Sequence, residues 1–151
     1  MKKCYPPLFP PGFHDIAIAD IHSLFVAPFR DNSRRTMLSK KLMEYIDDLQ
    51  SVLQPHGVAG ELWIDGSFGT EKIHPDDVDL IVFIPGADLN SLPPHSQQRL
   101  QGLLNTSYAK VNYSCDAYFC VTEDQPQRSY WRGWFMFDRD EQPKGIARVT
   151  I

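Results

Sequence analysis

The segment "HPDDVDLIVFIP", residues 74–85, limits what this chain can fold into more than any other stretch. From Val78 to Ile84 it is apolar except at Asp79, and Pro85 closes it, so it reads as a buried strand with charge at its mouth. Side chains two apart on a strand share a face, so Asp77 and Asp79 point together while Val78, Leu80, Val82 and Ile84 fill the other side. Two carboxylates held that close repel unless a proton or a cation lies between them. A divalent metal is the economical solution. All-oxygen ligands select Mg2+ or Mn2+, and Mg2+ takes one or two protein carboxylates together with substrate phosphates, which points to nucleotide chemistry.

Two other segments extend this pattern. "GELWIDG", residues 60–66, reads as a short strand running into a glycine turn, followed by Ser67 as a helix cap. Glycine lets a phosphate approach the main chain closely, and a helix start presents unpaired N–H groups to an anion. "KVNYSCDAYFCV", residues 110–121, reads as a third long strand in which Asp116 shares a face with Ser114 and Tyr118 and interrupts an apolar pattern. Three carboxylates can hold two metal ions about 3.5 to 4 Å apart, the arrangement that activates an attacking oxygen and stabilises a leaving pyrophosphate. Cations to meet phosphate are sparse: Lys72 follows the glycine turn in "FGTEK", and Lys144, Arg132 and Arg139 lie far along the chain.

The rest of the sequence supplies an α/β frame of one domain, residues 1–151. Residues 1–30, rich in proline and aromatics, read as an ordered arm laid over the domain. Between Asn32 and Leu53, the apolar residues Leu38, Leu42, Tyr45, Ile46, Leu49 and Val52 recur every three or four positions, predicting an amphipathic helix that Pro55 and Gly57 end. A loop is expected over 87–96 and a helix over 94–104, whereas "QRSYWRGWFMF" is not typed by periodicity. The closing stretch "DRDEQPKGIARVTI" reads as a turn and a last strand. The aromatic segment 130–137 suits a core, a partner surface or base stacking.

Composition excludes several function classes. No apolar stretch approaches the roughly 20 residues that cross a bilayer, and prolines interrupt the N-terminal segment where a secretory signal would be continuous, so a cytoplasmic protein is expected. Cys4, Cys115 and Cys120 and the five histidines have no metal-ligand spacing, and the cysteines are expected to be structural thiols. A net charge of -4 argues against a surface that binds nucleic acid all over while leaving room for a local basic patch.

Gly66-Ser67, then Asp77-Val78-Asp79, then Asp116 on a later strand together resemble the signature of the nucleotidyltransferase superfamily related to DNA polymerase beta. The phrases "FPPGFH", "LWIDGSFGTEK", "DDVDLIVF" and "FDRDEQPKGIARV" are similar to a bacterial family of small nucleotidyltransferase-like proteins, a similarity that covers most of the chain. The resemblance implies a mixed β-sheet flanked by α-helices, metal binding by Asp77, Asp79 and Asp116, and contact with nucleotide phosphates at Gly66 and Ser67. It also implies transfer of a nucleotidyl group from an NTP, most plausibly ATP, to a hydroxyl of a protein, an RNA or a small molecule. By analogy with small single-domain members, a toxin-antitoxin or phage-defence setting follows. One departure favours the alternative of a catalytically degenerate protein-binding module using segment 130–137, whereas the complete acid triad favours the enzyme. Where small members carry a basic residue after the Gly-Ser turn, this chain has Glu71, leaving Lys72 nearby, and a second helical domain of the kind that grips base and acceptor in larger members is not expected from this sequence.

Overall fold

The structure, a computed structural model, describes residues 3–151. Its frame is a five-stranded mixed sheet ordered β1-β5-β2-β3-β4, built from β1 (Gly12–Ile16), β2 (Glu61–Asp65), β3 (Val78–Ile84), β4 (Cys115–Val121) and β5 (Gly145–Thr150). β1 runs parallel to β5, and β3 parallel to β4, while β2 is antiparallel to both its neighbours, β5 and β3. Six helices accompany it: α1 (Ile21–Phe25), α2 (Ser33–Leu53), α3 (Gly86–Ser91), α4 (Pro94–Leu103), α5 (Thr106–Tyr113) and α6 (Gln125–Phe135).

Strand alternation divides the interior into two cores. Val78, Leu80, Val82 and Ile84 of β3 face the α2 stripe of Leu38, Leu42, Tyr45, Ile46 and Leu49, with Leu62, Ile64, Ala117 and Val149 from neighbouring strands. Each such side chain, fully buried, contributes about 2 kcal/mol, so this face carries most of the hydrophobic stabilisation. On the opposite face Ile81 and Phe83 join Trp63, Ile146, Cys120 and Phe135 of α6 in a smaller core. Asp79 lies on this second face, in line with Ile81 and Phe83.

Several elements depart from the sequence expectations for identifiable reasons. The arm contains β1, a strand of the sheet paired with β5 from Gly12↔Gly145 to Ile16↔Val149, so it is built into the fold as well as laid over it. The loop expected over 87–96 is occupied in part by α3. Lys110–Tyr113, expected as the start of the third strand, belongs to α5. Asn105 caps that helix by accepting from the Tyr108 N–H at 3.0 Å, and Ser114 ends it in the left-handed conformation, φ 54°. The untyped aromatic segment is helical because Asp124 accepts from the Gln127 N–H and Pro126 occupies the first turn. Among the described residues no helix is long and apolar enough to cross a membrane.

Candidate functional site

Pairing register decides which acids meet. Asp79 on β3 lies opposite Asp116 on β4 and, across the other edge, opposite Asp65 on β2. Residues paired across neighbouring strands point to the same face, so three carboxylates stand in a row across three strands. Asp77 precedes β3 by one residue and adds its charge from the strand mouth. Burial, reinforced by the charges of Asp77 and Asp116 and a hydrogen bond with Asp116, pushes the Asp79 carboxyl up to about 7.

The flanking groups hold this row in place. Lys110 Nζ on α5 sits 3.6 Å from Asp77 Oδ2, and the Tyr118 hydroxyl donates to Asp116 Oδ2 at 3.2 Å. Lys144 Nζ sits 2.9 Å from Asp65 Oδ2, with both side chains largely out of solvent. Burial pushes Asp65 up to about 7 against the pull of Lys144, and the Asp79 charge adds to the rise. The turn before β5 delivers Lys144: Asp138 Oδ1 accepts from the N–H groups of Asp140 and Gln142, and Lys144 N–H donates to the Met136 carbonyl at 2.7 Å.

Gly66 follows Asp65 at φ +68°, where a Cβ would stand within 2.6 Å of Asp79 Cγ. This glycine therefore gives Asp79 its seat against the turn as well as the turn its shape. Gly66→Ala is expected to lower stability by about 2 to 4 kcal/mol, combining a strained backbone with displacement of Asp79. A chemical-denaturation midpoint checks it, and a loss below about 1 kcal/mol would mean that the Asp79 carboxylate moves freely and is not seated.

Beyond Gly66 the chain makes a 3-10 turn, Gly66–Gly69, anchored from outside the sheet. Arg35 on α2 is fully buried and donates to the carbonyls of Phe25, Ser67, Phe68, Thr70 and Lys72 at 2.6 to 3.4 Å, its plane packed over Phe29. Burial lowers its guanidinium to about 10. The arm completes the clamp, with Leu8 N–H donating to the Gly69 carbonyl and Glu71 N–H to that of Pro6.

Asp65, Gly66 and Asp79 floor a cleft of about 370 Å3. Tyr118 and the α6 residues Tyr130, Trp131, Trp134 and Phe135 form one wall, and Lys144 stands beside them. Of the predicted site residues, the structure brings Asp79, Gly66 and Lys144 to the cleft, with Asp77 and Asp116 beside Asp79 and Ser67 in the adjoining turn. It does not bring Lys72, whose ammonium lies over the Tyr5 ring of the arm, 6.0 Å from its centroid. The sequence reading missed Asp65 and Arg35. Arg35 had a visible signal, an ionic residue three positions before Leu38 on the apolar stripe of α2.

Among the described residues no set of three or more His, Cys, Asp or Glu side chains already stands in metal-ligating geometry. The donors nevertheless fit a divalent cation in kind: they are all carboxylate oxygens, and Asp79 is raised by burial and by the crowded charges of Asp77 and Asp116. Asp77, Asp79 and Asp116 are the residues that would hold it.

Residues 5–150 match a family described as a family of unknown function, DUF6932, and the chain belongs to that family. No curated protein and no solved structure matches it.

Proposed function

We propose that this member of the family is a metal-dependent nucleotidyltransferase, moving a nucleotidyl group from an NTP, most plausibly ATP, to a hydroxyl of a protein, an RNA or a small molecule. The observation that carries the reading is the register that sets Asp65, Asp79 and Asp116 side by side on neighbouring strands, Asp65 and Asp79 lining the cleft, with Asp77 at the mouth of β3. Bound at Asp77, Asp79 and Asp116, Mg2+ or Mn2+ would supply charge neutralisation for the departing pyrophosphate. In this reaction the acceptor oxygen bonds to the α-phosphorus, the bond to the β-phosphate oxygen breaks, and the hydroxyl proton passes to the carboxylate cluster.

This chain's own residues prepare that step. Lys110 steadies Asp77 and Tyr118 steadies Asp116, so the carboxylates meet the substrate without first searching for a conformation. Asp65 holds Lys144 at the cleft, where its ammonium offers charge to a phosphate. Gly66 keeps the floor open against Asp79. A small-molecule or macromolecular acceptor in a toxin-antitoxin or phage-defence setting fits the same chemistry by analogy.

A second reading, a catalytically silent module binding a protein through segment 130–137, is favoured by two observations: Lys144 is engaged by Asp65, and Tyr130 and Trp134 are exposed. Incubation with α-labelled ATP, GTP, CTP or UTP, Mg2+ or Mn2+ and a cell extract separates the two. Label transferred to an acceptor or to the protein itself, lost with EDTA and lost in Asp116→Asn, is the expected outcome. No transfer from any of the four nucleotides under either metal would favour the binding module.

A further inference from the structure

The aromatic wall of the cleft contains rings of two kinds. Trp131 and Phe135 are tied inward: Trp131 packs on Tyr118 with centroids 4.8 Å apart, and Phe135 belongs to the second core. Tyr130 and Trp134, one turn apart on α6, meet each other edge-on at 6.3 Å yet remain 54% and 64% exposed. Two large rings left in water beside a cleft withhold apolar area that folding would otherwise bury, and such area at a concave site marks a ligand surface. The floor below them is charged, with Asp79 on one side, Asp116 paired to it on the next strand, and the Asp65–Lys144 pair on the other. A wall of ring faces above a floor for ions suits a ligand with a flat ring at one end and a charged group at the other.

We infer that Trp134, with Tyr130 set edge-on against it, forms a stacking platform for the nucleobase of the NTP, and that this platform reads ring area in place of base identity. The inference rests on the nucleotidyltransferase reading of the floor. The cleft, of about 370 Å3 and open to solvent on one side, has room for a nucleoside. The α6 side chains of the wall present ring faces, with phenol and indole groups as their polar atoms and neither an amide nor a guanidinium among them to pair with a base edge. Stacking is tolerant of base because every base has a π-face, and its strength grows with ring area. ATP and GTP are therefore bound alike, and both more tightly than CTP and UTP.

Titration of the full chain with Mg2+ and each of ATP, GTP, CTP, UTP and inorganic tripolyphosphate, by calorimetry, tests this. In the wild type, ATP and GTP are expected within about 3-fold of each other, with pyrimidine nucleotides weaker and tripolyphosphate weaker still. Trp134→Ala is expected to weaken ATP about 10-fold, to leave tripolyphosphate unchanged and to flatten the order of the four bases, with Trp134→Phe restoring part of the loss. Trp134 is exposed, so its truncation spares the core, and an unchanged melting temperature verifies this. If Trp134→Ala binds ATP as the wild type does, or if ATP binds no better than tripolyphosphate, the platform is refuted while the metal and phosphate site stands. If neither ATP nor tripolyphosphate binds in the presence of Mg2+, the nucleotidyltransferase reading fails and the platform fails with it.

Discussion

Arg35→Met is expected to cost about 4 kcal/mol or more of folding stability, a large part of the 5 to 15 kcal/mol that holds a domain of this size together. Methionine keeps the length and apolar stem of the side chain and packs between Phe29 and Phe68, where the guanidinium now lies. What it removes is the donor set. The carbonyls of Phe25, Phe68, Thr70 and Lys72 lose their shared donor in a place where water does not replace it, and each unsatisfied buried acceptor costs about 1 to 3 kcal/mol before the loop relaxes. Arg35→Lys retains the charge but lacks the planar fork that spans several acceptors, so a loss of about 2 kcal/mol is expected. Urea denaturation monitored at the buried Trp63 measures both losses. A methionine variant within about 1 kcal/mol of wild type would show that the 67–72 turn holds itself without Arg35. The functional link is direct: the turn that Arg35 clamps begins at Gly66, and Gly66 seats Asp79.

The parts of this site that were legible in the sequence were those fixed by local periodicity. α2 announced itself through its stripe of apolar residues, and the Val78–Ile84 strand through its apolar run closed by Pro85, strand geometry then putting Asp77 and Asp79 on one side. Asp116 was identifiable because it interrupts an apolar strand, and the α/β character followed from the order of elements, while the mixed sheet with flanking helices came from the resemblance. Asp65 was not, since at the end of "LWID" it looks like a solvated strand terminus. Only the antiparallel register with β3, and a lysine 79 positions away, show it to be buried and paired. The start of β4 failed for a different reason: "KVNY" alternates well enough for a strand, and the deciding information lay outside it, in the Asn105 cap and the left-handed Ser114. Lys110, expected at the start of the third strand, rises from that helix to meet Asp77. Lys72 was chosen for its proximity in sequence, and the turn that Arg35 anchors directs it toward the arm.

Asp79→Asn is expected to stabilise the metal-free protein by about 1 to 3 kcal/mol at pH 7.5, and to lose that advantage when Mg2+ is added. The folded Asp79 carboxyl titrates near 7, raised by burial and by Asp77 and Asp116, while the unfolded one keeps its ordinary value of 3.8. Below about pH 4 both states are protonated and the site exacts no penalty. Between about 4 and 7 the unfolded chain releases this proton and the folded one retains it, so stability falls as pH rises and the loss is complete above 7. Asparagine carries no charge and its amide donates to Asp116, so the variant should show a shallower descent over that window. A residual slope should remain from Asp65, itself near 7 for reasons that include the Asp79 charge. A rise from 3.8 to about 7 corresponds to at most about 4 kcal/mol, and the smaller figure allows for the polar amide that asparagine still buries. With Mg2+ at about 100 times its dissociation constant the wild type gains about 2.7 kcal/mol by mass action, whereas a variant lacking a ligand gains little. Thermal melts of both proteins from pH 4.5 to 8, in EDTA and in Mg2+, separate the possibilities. A variant less stable than wild type in EDTA at pH 7.5 would make Asp79 a structural hydrogen-bond acceptor. Equal stabilisation of both proteins by Mg2+ would remove it from the metal-binding set. If the ranking inverts on addition of the metal, the crowding that destabilises the fold is the same crowding that binds the cation.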